Sequence, residues 1–225
     1  MLGRGHEFPG WTFAFSGRDD GDLRVSARSA EAEPLAAVQS RVLAELGVDG
    51  VAVARQLHGS EIATVAEPLS GYCVGIADGD GVISTVPGVA AAVHVADCLP
   101  VAVGGEGAVA VLHCGWRGLA AGIIAAGVSA LREAGAHGEL QAVVGPGAGG
   151  CCYETGEEVR ELFARYGASD GRLLDLKAVA AKQLREAGVA RILRSGPCTI
   201  CDAHYFSHRR EGAATGRQAG FAWLR

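Results

Sequence analysis

The hydrophobic and polar positions of this chain predict several amphipathic helices. Four segments repeat apolar residues at helical spacing: 33–47, 119–133, 154–167 and 175–188. The first ends at Gly47, a residue that favours a helix C-cap. In the third, Thr155 and Glu158 have the spacing of a capping box. Asp175 is placed to cap the start of the fourth helix, and Gly188 marks its end.

The segments between the helices contain β-type runs that predict strands. Residues 48–65 predict a hairpin around His58, followed by a Gly-rich loop. Four further runs predict strands: 80–85, 88–105, 107–113 and 139–146. The first 30 residues are polar apart from a WTFAF patch, and the C-terminal tail is irregular and Arg-rich. The patterns predict one mixed α/β domain spanning residues 1–225, in which the N-terminal segment 1–50 is the least clearly defined part.

Composition narrows the classes of protein that the chain can represent. With 49% hydrophobic residues it can bury a full core, and a net charge of −5 offers no electrostatic basis for binding nucleic acid or an anionic membrane. The N-terminal MLGRGHEFPGWTF lacks the apolar stretch of a signal peptide, and the longest uncharged helical segment, 118–131, is shorter than the roughly 20 residues that span a bilayer. We therefore expect a cytoplasmic protein whose seven cysteines are free thiols or metal ligands.

Three residues of metal-binding types lie where apolar strands give way to loops: His58, Cys98 and His113. Two imidazoles and a thiolate leave the fourth tetrahedral position of Zn²⁺ open, as catalytic zinc sites require. His94 lies on the same run as Cys98, but four residues of extended chain separate their Cα atoms by roughly 13 Å. On residues alone, a buried core thiol and two histidines in loops explain the pattern equally well.

Two motifs match known signatures in the wrong context. GPGAGG at 145–150 fits the dinucleotide fingerprint G-x-G-x-x-G, but Pro146 lies in the turn and no helix follows directly, which indicates a tight loop packed against another segment. His137, Glu139, Cys198 and Cys201 spell H-x-E…P-C-x-x-C, the signature of zinc nucleobase deaminases. His137 and Glu139 lie between a helix and a strand, so we favour a lone C-x-x-C, which needs a second pair to indicate zinc.

Five motifs in register resemble the laccase-domain family, also known as multicopper polyphenol oxidase, peptidoglycan editing factor or purine nucleoside phosphorylase. They are RQLHGSEI, AVHVADCLPVAV, VAVLHCGWRGLAAGII, VGPGAGGCCYETGEEV and CTICDAHYFSHRREGAATGRQAGFAWL, and the match runs from about residue 51 to the C-terminus. The resemblance implies that His58, Cys98 and His113 are zinc ligands and that mixed β-sheets are layered with helices. Compared with the family, Cys114 replaces a small residue, and the N-terminal segment is compressed to FSGRDDGDLRVSA.

The resemblance also implies the activity. Copper, the alternative metal, is disfavoured because the only methionine is Met1 and the seven histidines form no H-x-H pair. Phosphorolysis of adenosine, inosine or methylthioadenosine fits better than copper-dependent oxidation, and the resemblance implies adenosine deamination as an additional activity. Arg117, Arg209 and Arg217 are candidates to bind phosphate, although 18 of the 20 Lys and Arg residues are arginines and a single one is weak evidence. Trp116 is a candidate to stack on the purine.

Three assignments remain open at this point. Deamination needs an acid that moves protons, for which Asp97 is a candidate, although a turn-forming role is equally plausible. Cys98 and His113 could instead be the nucleophile and base of a hydrolase that edits peptidoglycan precursors. A metal-dependent binding protein without turnover is a further alternative. The sequence leaves the preferred nucleoside and the oligomeric state undetermined.

Overall fold

The computed structural model describes residues 3–4, 8–24 and 33–225 as two six-stranded sheets with helices on their outer faces. The strands are β1 (Gly3–Arg4), β2 (Trp11–Phe15), β3 (Gly50–Arg55), β4 (Ile62–Val65), β5 (Gly71–Asp78), β6 (Gly81–Ser84), β7 (Val89–Val95), β8 (Leu99–Glu106), β9 (Val109–Cys114), β10 (His137–Val144), β11 (Ser169–Asp170), β12 (Leu173–Leu174), β13 (Arg191–Arg194) and β14 (Gln218–Leu224). The helices are α1 (Leu35–Leu46), α2 (Trp116–Ala120), α3 (Ile123–Glu133), α4 (Glu157–Leu162), α5 (Leu176–Glu186) and α6 (His208–Glu211).

Both large sheets are mixed, as the fold prediction requires. The first sheet has the order β1-β2-β14-β7-β3-β5, and the second has the order β13-β10-β8-β9-β6-β4. In the first, β3 is parallel to β5 and β7, whereas β14 is antiparallel to β7. In the second, β9 is antiparallel to β8 and β6, whereas β4 is parallel to β6. The predicted α/β class of mixed sheets layered with helices is confirmed.

The two sheets share an interior, and the helices cover their other faces. Val109 and Val111 of β9 pack into the core between the sheets, whereas Leu112 and Cys114 pack among residues of α3 and α5. On the outer face of the first sheet, α1 packs against β3 and β14. Because β9 is buried on both faces, it has the continuous apolar sequence of a strand inside a layered fold.

The predicted hairpin at 48–65 is wrong. Its two strands, β3 and β4, lie in different sheets: β3 pairs with β5 and β7, and β4 pairs with β6. The chain between them crosses from the first sheet to the second. The run 88–105 also divides, into β7 of the first sheet and β8 of the second, with Asp97 at the crossing in a left-handed conformation (φ 87°). Strand partners depend on distant segments, which local patterns do not contain.

The predicted helices exist, with different boundaries in two cases. The helix at 119–133 is divided into α2 and α3 by Gly122, whose φ is 83°. The third helix begins only at Glu157, after Gly156, so Thr155 and Glu158 form no capping box. The caps at Gly47, with φ 70°, and Asp175, which accepts a hydrogen bond from the Ala178 N–H at 3.0 Å, are confirmed.

Several segments predicted to be irregular form strands. The Gly-rich loop contains β5, and the Arg-rich tail contains β14, a fully buried strand inside the first sheet. The WTFAF patch forms β2, but parts of the N-terminal segments MLGRGHEFPGWTF and FSGRDDGDLRVSA lie outside the described residues. Within the described ranges, no helix combines the length and apolar character needed to cross a membrane.

Candidate functional site

A cavity of about 600 Å³ opens where the chain crosses between the two sheets. The crossing after β3 brings His58 to it, and the crossing between β7 and β8 brings Asp97 and Cys98. The end of β9 and the start of α2 complete this side. All the residues predicted from the sequence as site residues line the cavity: His58, Asp97, Cys98, His113, Trp116, Arg117, Arg209 and Arg217.

The three predicted metal ligands lie together. One donor atom from each of His58, Cys98 and His113 lies within 4.8 Å of the others, and the two imidazole rings meet edge to face with centroids 4.7 Å apart. His94, also on the cavity wall, belongs to a different contact: its Nε2 lies 2.9 Å from the Tyr72 hydroxyl. The structure therefore brings the mixed nitrogen and sulfur set together without His94.

Asp80 connects two of these ligands, and the sequence analysis did not identify it. Its buried carboxylate accepts hydrogen bonds from the N–H groups of Leu57, His58 and Gly59 at 2.7 to 3.0 Å. It also accepts the Nδ1–H of His113 at 2.8 Å, which leaves Nε2 of that ring available to a metal. Burial opposes ionisation of Asp80, but His113 and the turn amides lower its pKa to about 2.

Cys98 and His113 each favour the charged form of the other. Burial raises the pKa of Cys98, but His113 and His58 outweigh it and lower the pKa to about 6. Burial lowers the pKa of His113, but the Cys98 thiolate and Asp80 outweigh it and raise the pKa to about 9. A thiolate at Cys98 suits metal binding, and it also suits nucleophilic chemistry.

The HCGWRG segment contributes one side chain to the core and others to the cavity wall. Cys114 points into the core beneath α3, where burial raises its pKa and keeps the thiol protonated. A Cβ on Gly115 would lie 2.8 Å from the Cys98 sulfur, so only glycine leaves room for that ligand. Trp116 begins α2, and the guanidinium of Arg117 lies 4.3 Å from the centre of its ring. Arg117 therefore covers part of the aromatic surface predicted for a purine.

Two more arginines line the same cavity. Nη1 of Arg209 donates to the Glu154 carbonyl at 2.8 Å, and its guanidinium lies 5.0 Å from the Tyr153 ring centre. Nη1 of Arg217 donates to the Thr215 and Gly216 carbonyls. Burial and neighbouring Arg24 lower the pKa of Arg217. Several cations thus line the same cavity as the predicted metal ligands.

Asp97 accepts hydrogen bonds through both carboxylate oxygens, which a freely available proton carrier would not do. Its Oδ1 accepts the Thr199 hydroxyl at 2.7 Å, and its Oδ2 accepts the backbone N–H of Arg209 at 2.6 Å. Both carboxylate oxygens thus hold the C-terminal loops against the β7–β8 crossing. Its role in proton transfer stays a prediction, and these bonds would have to rearrange for it.

Neither of the two misleading motifs forms the site that its signature predicts. A Cβ on Gly147 would lie 2.5 Å from Leu99 Cδ2, so the GPGAGG loop is tight because it packs against β8. His137 is exposed at the start of β10 and pairs with Glu106 at 3.2 Å, whereas Cys198 bridges to Gly147 beyond the other end of that strand. The deaminase signature is therefore not assembled.

Known proteins show the same sequence pattern and fold. The chain matches the family described as multi-copper polyphenol oxidoreductase laccase over residues 25–225. The chain belongs to this family. Within the laccase family, a purine nucleoside phosphorylase of Aquifex aeolicus is 43% identical over 136 residues, which cover 60% of this chain and 66% of that protein. One from Streptomyces coelicolor is 37% identical over 206 residues, covering 85% and 84% of the two chains.

The laccase-family assignment extends to three-dimensional structure. A crystal structure of a Neisseria meningitidis protein of the DUF152 family matches with a TM-score of 0.81 and 27% identity, over 100% of this chain and 98% of that one. A Bacillus licheniformis hypothetical protein has the same fold, with a TM-score of 0.82 at 24% identity over 99% of both chains. The predicted family resemblance is confirmed.

Proposed function

We propose that the chain is a zinc-dependent purine nucleoside phosphorylase that acts on adenosine, inosine or methylthioadenosine and also deaminates adenosine. The observation that carries the proposal is the set of two imidazoles and a thiolate, with donor atoms within 4.8 Å, on the wall of a cavity that several arginines line. The names of the Aquifex and Streptomyces relatives support the same substrate class.

The donor set fits a metal ion of the zinc type. His58, Cys98 and His113 supply nitrogen and sulfur, and three protein ligands leave room for a substrate group. Asp80 orients His113, as carboxylates commonly do for imidazole ligands. When bound, such an ion acts as a Lewis acid that stabilises developing negative charge. Copper oxidation remains disfavoured, because the seven histidines contain no H-x-H pair.

The chain's own residues supply the remaining requirements of phosphorolysis. Phosphate attacks the ribose carbon that carries the base, and the purine leaves as the new bond to phosphate forms. Arg117, Arg209 and Arg217 would hold the phosphate oxygens, because guanidinium groups bind such anions through paired N–H donors. Trp116 and Tyr153 offer aromatic faces to the base. Holding both reactants in one cavity lowers the entropic part of the barrier.

Chromatography of adenosine incubations tests the proposal. With phosphate, the wild type should release adenine and ribose 1-phosphate, and it should form inosine whether or not phosphate is present. His58→Ala should lose both activities, whereas His137→Ala, which changes an exposed histidine outside the cavity, should keep them. Equal product from wild type and His58→Ala would remove the three-ligand site from the mechanism.

A second candidate function rests on a specific arrangement. Asp80, His113 and Cys98 follow one another in contact, as the orienting acid, base and nucleophile of a cysteine hydrolase do. Such an enzyme could cleave a peptidoglycan precursor without any metal. Elemental analysis of the wild type and His58→Ala separates the two candidates, because an equivalent of zinc that is lost in His58→Ala and needed for activity disfavours a free thiolate nucleophile. Zinc without turnover of adenosine and phosphate would favour the third candidate, a metal-dependent binding protein.

A further inference from the structure

Four cysteines meet in a second cluster outside the cavity. Cys151 and Cys152 follow the GPGAGG loop, and Cys198 and Cys201 lie on the loop after β13. All four Sγ atoms lie within 4.8 Å of one another. Across the described ranges, this is one of two groups of histidine, cysteine or acidic residues close enough to hold one metal ion, and the other is the three-ligand site.

The sulfur separations suit a single shared ion. Four of the Sγ–Sγ distances are 3.0, 3.3, 3.5 and 3.6 Å. A tetrahedron with zinc–sulfur bonds of about 2.3 Å places its sulfurs about 3.8 Å apart, whereas a disulfide needs about 2.0 Å. In an iron–sulfur cluster the four cysteines are divided between two or four irons, so the set as a whole lies farther apart. All seven cysteines are free thiols.

The loops around the sulfurs have the features of a thiolate site. The Gly149 N–H donates to the Cys198 sulfur at 3.1 Å, and the N–H groups of Cys201 and Asp202 donate to the Cys198 carbonyl, which closes a tight turn. A Cβ on Gly149 would lie 3.0 Å from Cys198 Cβ, so the close approach of the two loops requires glycine there.

A cation lies next to the cluster. Lys177, one of two lysines in the chain, donates from Nζ to the carbonyls of Gly196 and Pro197 at 2.9 Å, directly before Cys198. A divalent ion bound by four thiolates has a net charge of −2, and a nearby ammonium offsets part of it. The charge of Lys177 and the arrangement of the four sulfur atoms therefore both favour a divalent ion bound by thiolates.

We propose that Cys151, Cys152, Cys198 and Cys201 form a second metal site that binds one Zn²⁺ through four thiolates. Because all four positions are filled by protein, the site is closed and structural. It joins the loop that carries Tyr153 to the loop whose Thr199 holds Asp97, so it would brace one wall of the cavity. Its existence does not depend on which reaction the cavity performs.

Metal counting tests the site directly. We expect protein purified under reducing conditions to lose one equivalent of zinc in the variant Cys198→Ser/Cys201→Ser, relative to the wild type. Cys73→Ser, which changes a cysteine on β5 outside both clusters, should keep the wild-type content. His58→Ala should lose a different equivalent, so failure of the proposed function does not mimic failure of this site. Unchanged zinc in the double cysteine variant would overturn the proposal.

A measurement on the wild type covers the case in which that variant does not fold. Cys151 and Cys201 are exposed, and free thiols there would react quickly with iodoacetamide. We expect zinc-loaded protein to protect both until a chelator removes the metal, and Co²⁺ in place of zinc to give the intense visible absorption of a tetrathiolate. Equal alkylation rates with and without zinc, or recovery of these cysteines as disulfides, would overturn the proposal.

Discussion

The two donor clusters of this molecule differ in almost every physical respect. The His58/Cys98/His113 set lines a cavity and combines nitrogen and sulfur, and its members come from three separate strand ends. The four-cysteine cluster lies near the surface, contains only sulfur, and comes from two short motifs. The first cluster is supported by the buried carboxylate of Asp80, which contacts His113. The second is surrounded by backbone N–H groups and one lysine.

This difference indicates a catalytic role for the first cluster and a structural role for the second. A catalytic ion needs an unfilled coordination position and a pocket for substrate, and the proposed three-ligand site would provide both. A structural ion needs a complete set of strong ligands that connects otherwise weakly joined loops. We therefore expect variants of the first cluster to change turnover and variants of the second to change stability, which the following predictions examine.

The largest effect should come from Cys98. Cys98→Ala removes a ligand and several kcal/mol of transition-state stabilisation, so kcat/KM for adenosine phosphorolysis should fall at least about 1,000-fold. The melting temperature should stay close to that of the wild type. Initial rates with phosphate measure the loss, and Cys73→Ala is the matched control. Activity within tenfold of the wild type would contradict the assignment of Cys98 to the site.

The double variant Cys198→Ser/Cys201→Ser should show the opposite behaviour. A metal that joins Cys152 to Cys198 closes a loop over a sequence separation of 46 residues, which is worth about 4 kcal/mol by loop-closure entropy. Its loss should lower the melting temperature by on the order of 10 °C, with kcat nearly unchanged in the cold. Calorimetry of reduced, zinc-loaded protein measures it, and a shift below about 2 °C would contradict the bracing role.

Asp80→Asn should weaken the first site without emptying the second. Asparagine keeps the shape but loses the charge that holds the His113 imidazole, so metal affinity should fall roughly 10–100-fold. Competition with a chelator gives the affinity. Asp78→Asn is the matched control, because Asp78 is exposed and pairs with Arg55 instead of a ligand. Equal affinities in the two variants would show that Asp80 does not support the site.

Arg117→Ala should change phosphate binding more than chemistry. Losing one charge-assisted contact corresponds to about a tenfold rise in the KM for phosphate, with a smaller change in kcat. The control is Arg185→Ala, on the exposed side of α5 and outside the cavity. A similar rise in both variants would mean that Arg117 acts only through overall charge.

His94 should give the smallest effect, one that depends on pH. Burial, reinforced by Arg217, lowers its pKa to about 4, whereas an unfolded histidine titrates near 6.5. Between these values the unfolded chain binds a proton that the folded chain does not, so stability falls as pH drops from about 6.5 towards 4. His94→Gln should lose less stability than the wild type between about pH 7 and 4.5 in urea unfolding. Parallel pH profiles would contradict this.

Local signals in the sequence predicted local structure well. Gly47 and Asp175 cap helices because each acts on its own helix end, and the helical periods gave α1 and α5 within a few residues. The hairpin at 48–65 was wrong because the partners of β3 lie beyond it in the chain. The strand β14 is entirely buried, but it was missed because its sequence contains small residues and lies in an Arg-rich tail that resembles an irregular segment.

The site was predictable where residue chemistry and strand ends coincide. His58, Cys98 and His113 each follow or end an apolar run, and family motifs support them, whereas Asp80 is one of two aspartates in a Gly-rich stretch. Its role depends on β6 pairing with β9, which no local pattern contains. The lone C-x-x-C lacked a partner in sequence because Cys152 lies 46 residues before Cys198.

The carboxylate of Asp80 ties the backbone of residues 57–59 to the ring of His113, which lies 33 positions after Asp80 in the chain. Two predicted ligands, one following a strand of the first sheet and the other on a strand of the second, thereby share one carboxylate, so a shift of either segment would change its hydrogen bonds to Asp80. A shift of one sheet relative to the other would change the relative position of His58 and His113. We therefore expect the relative position of the two sheets to set the geometry of the proposed metal site.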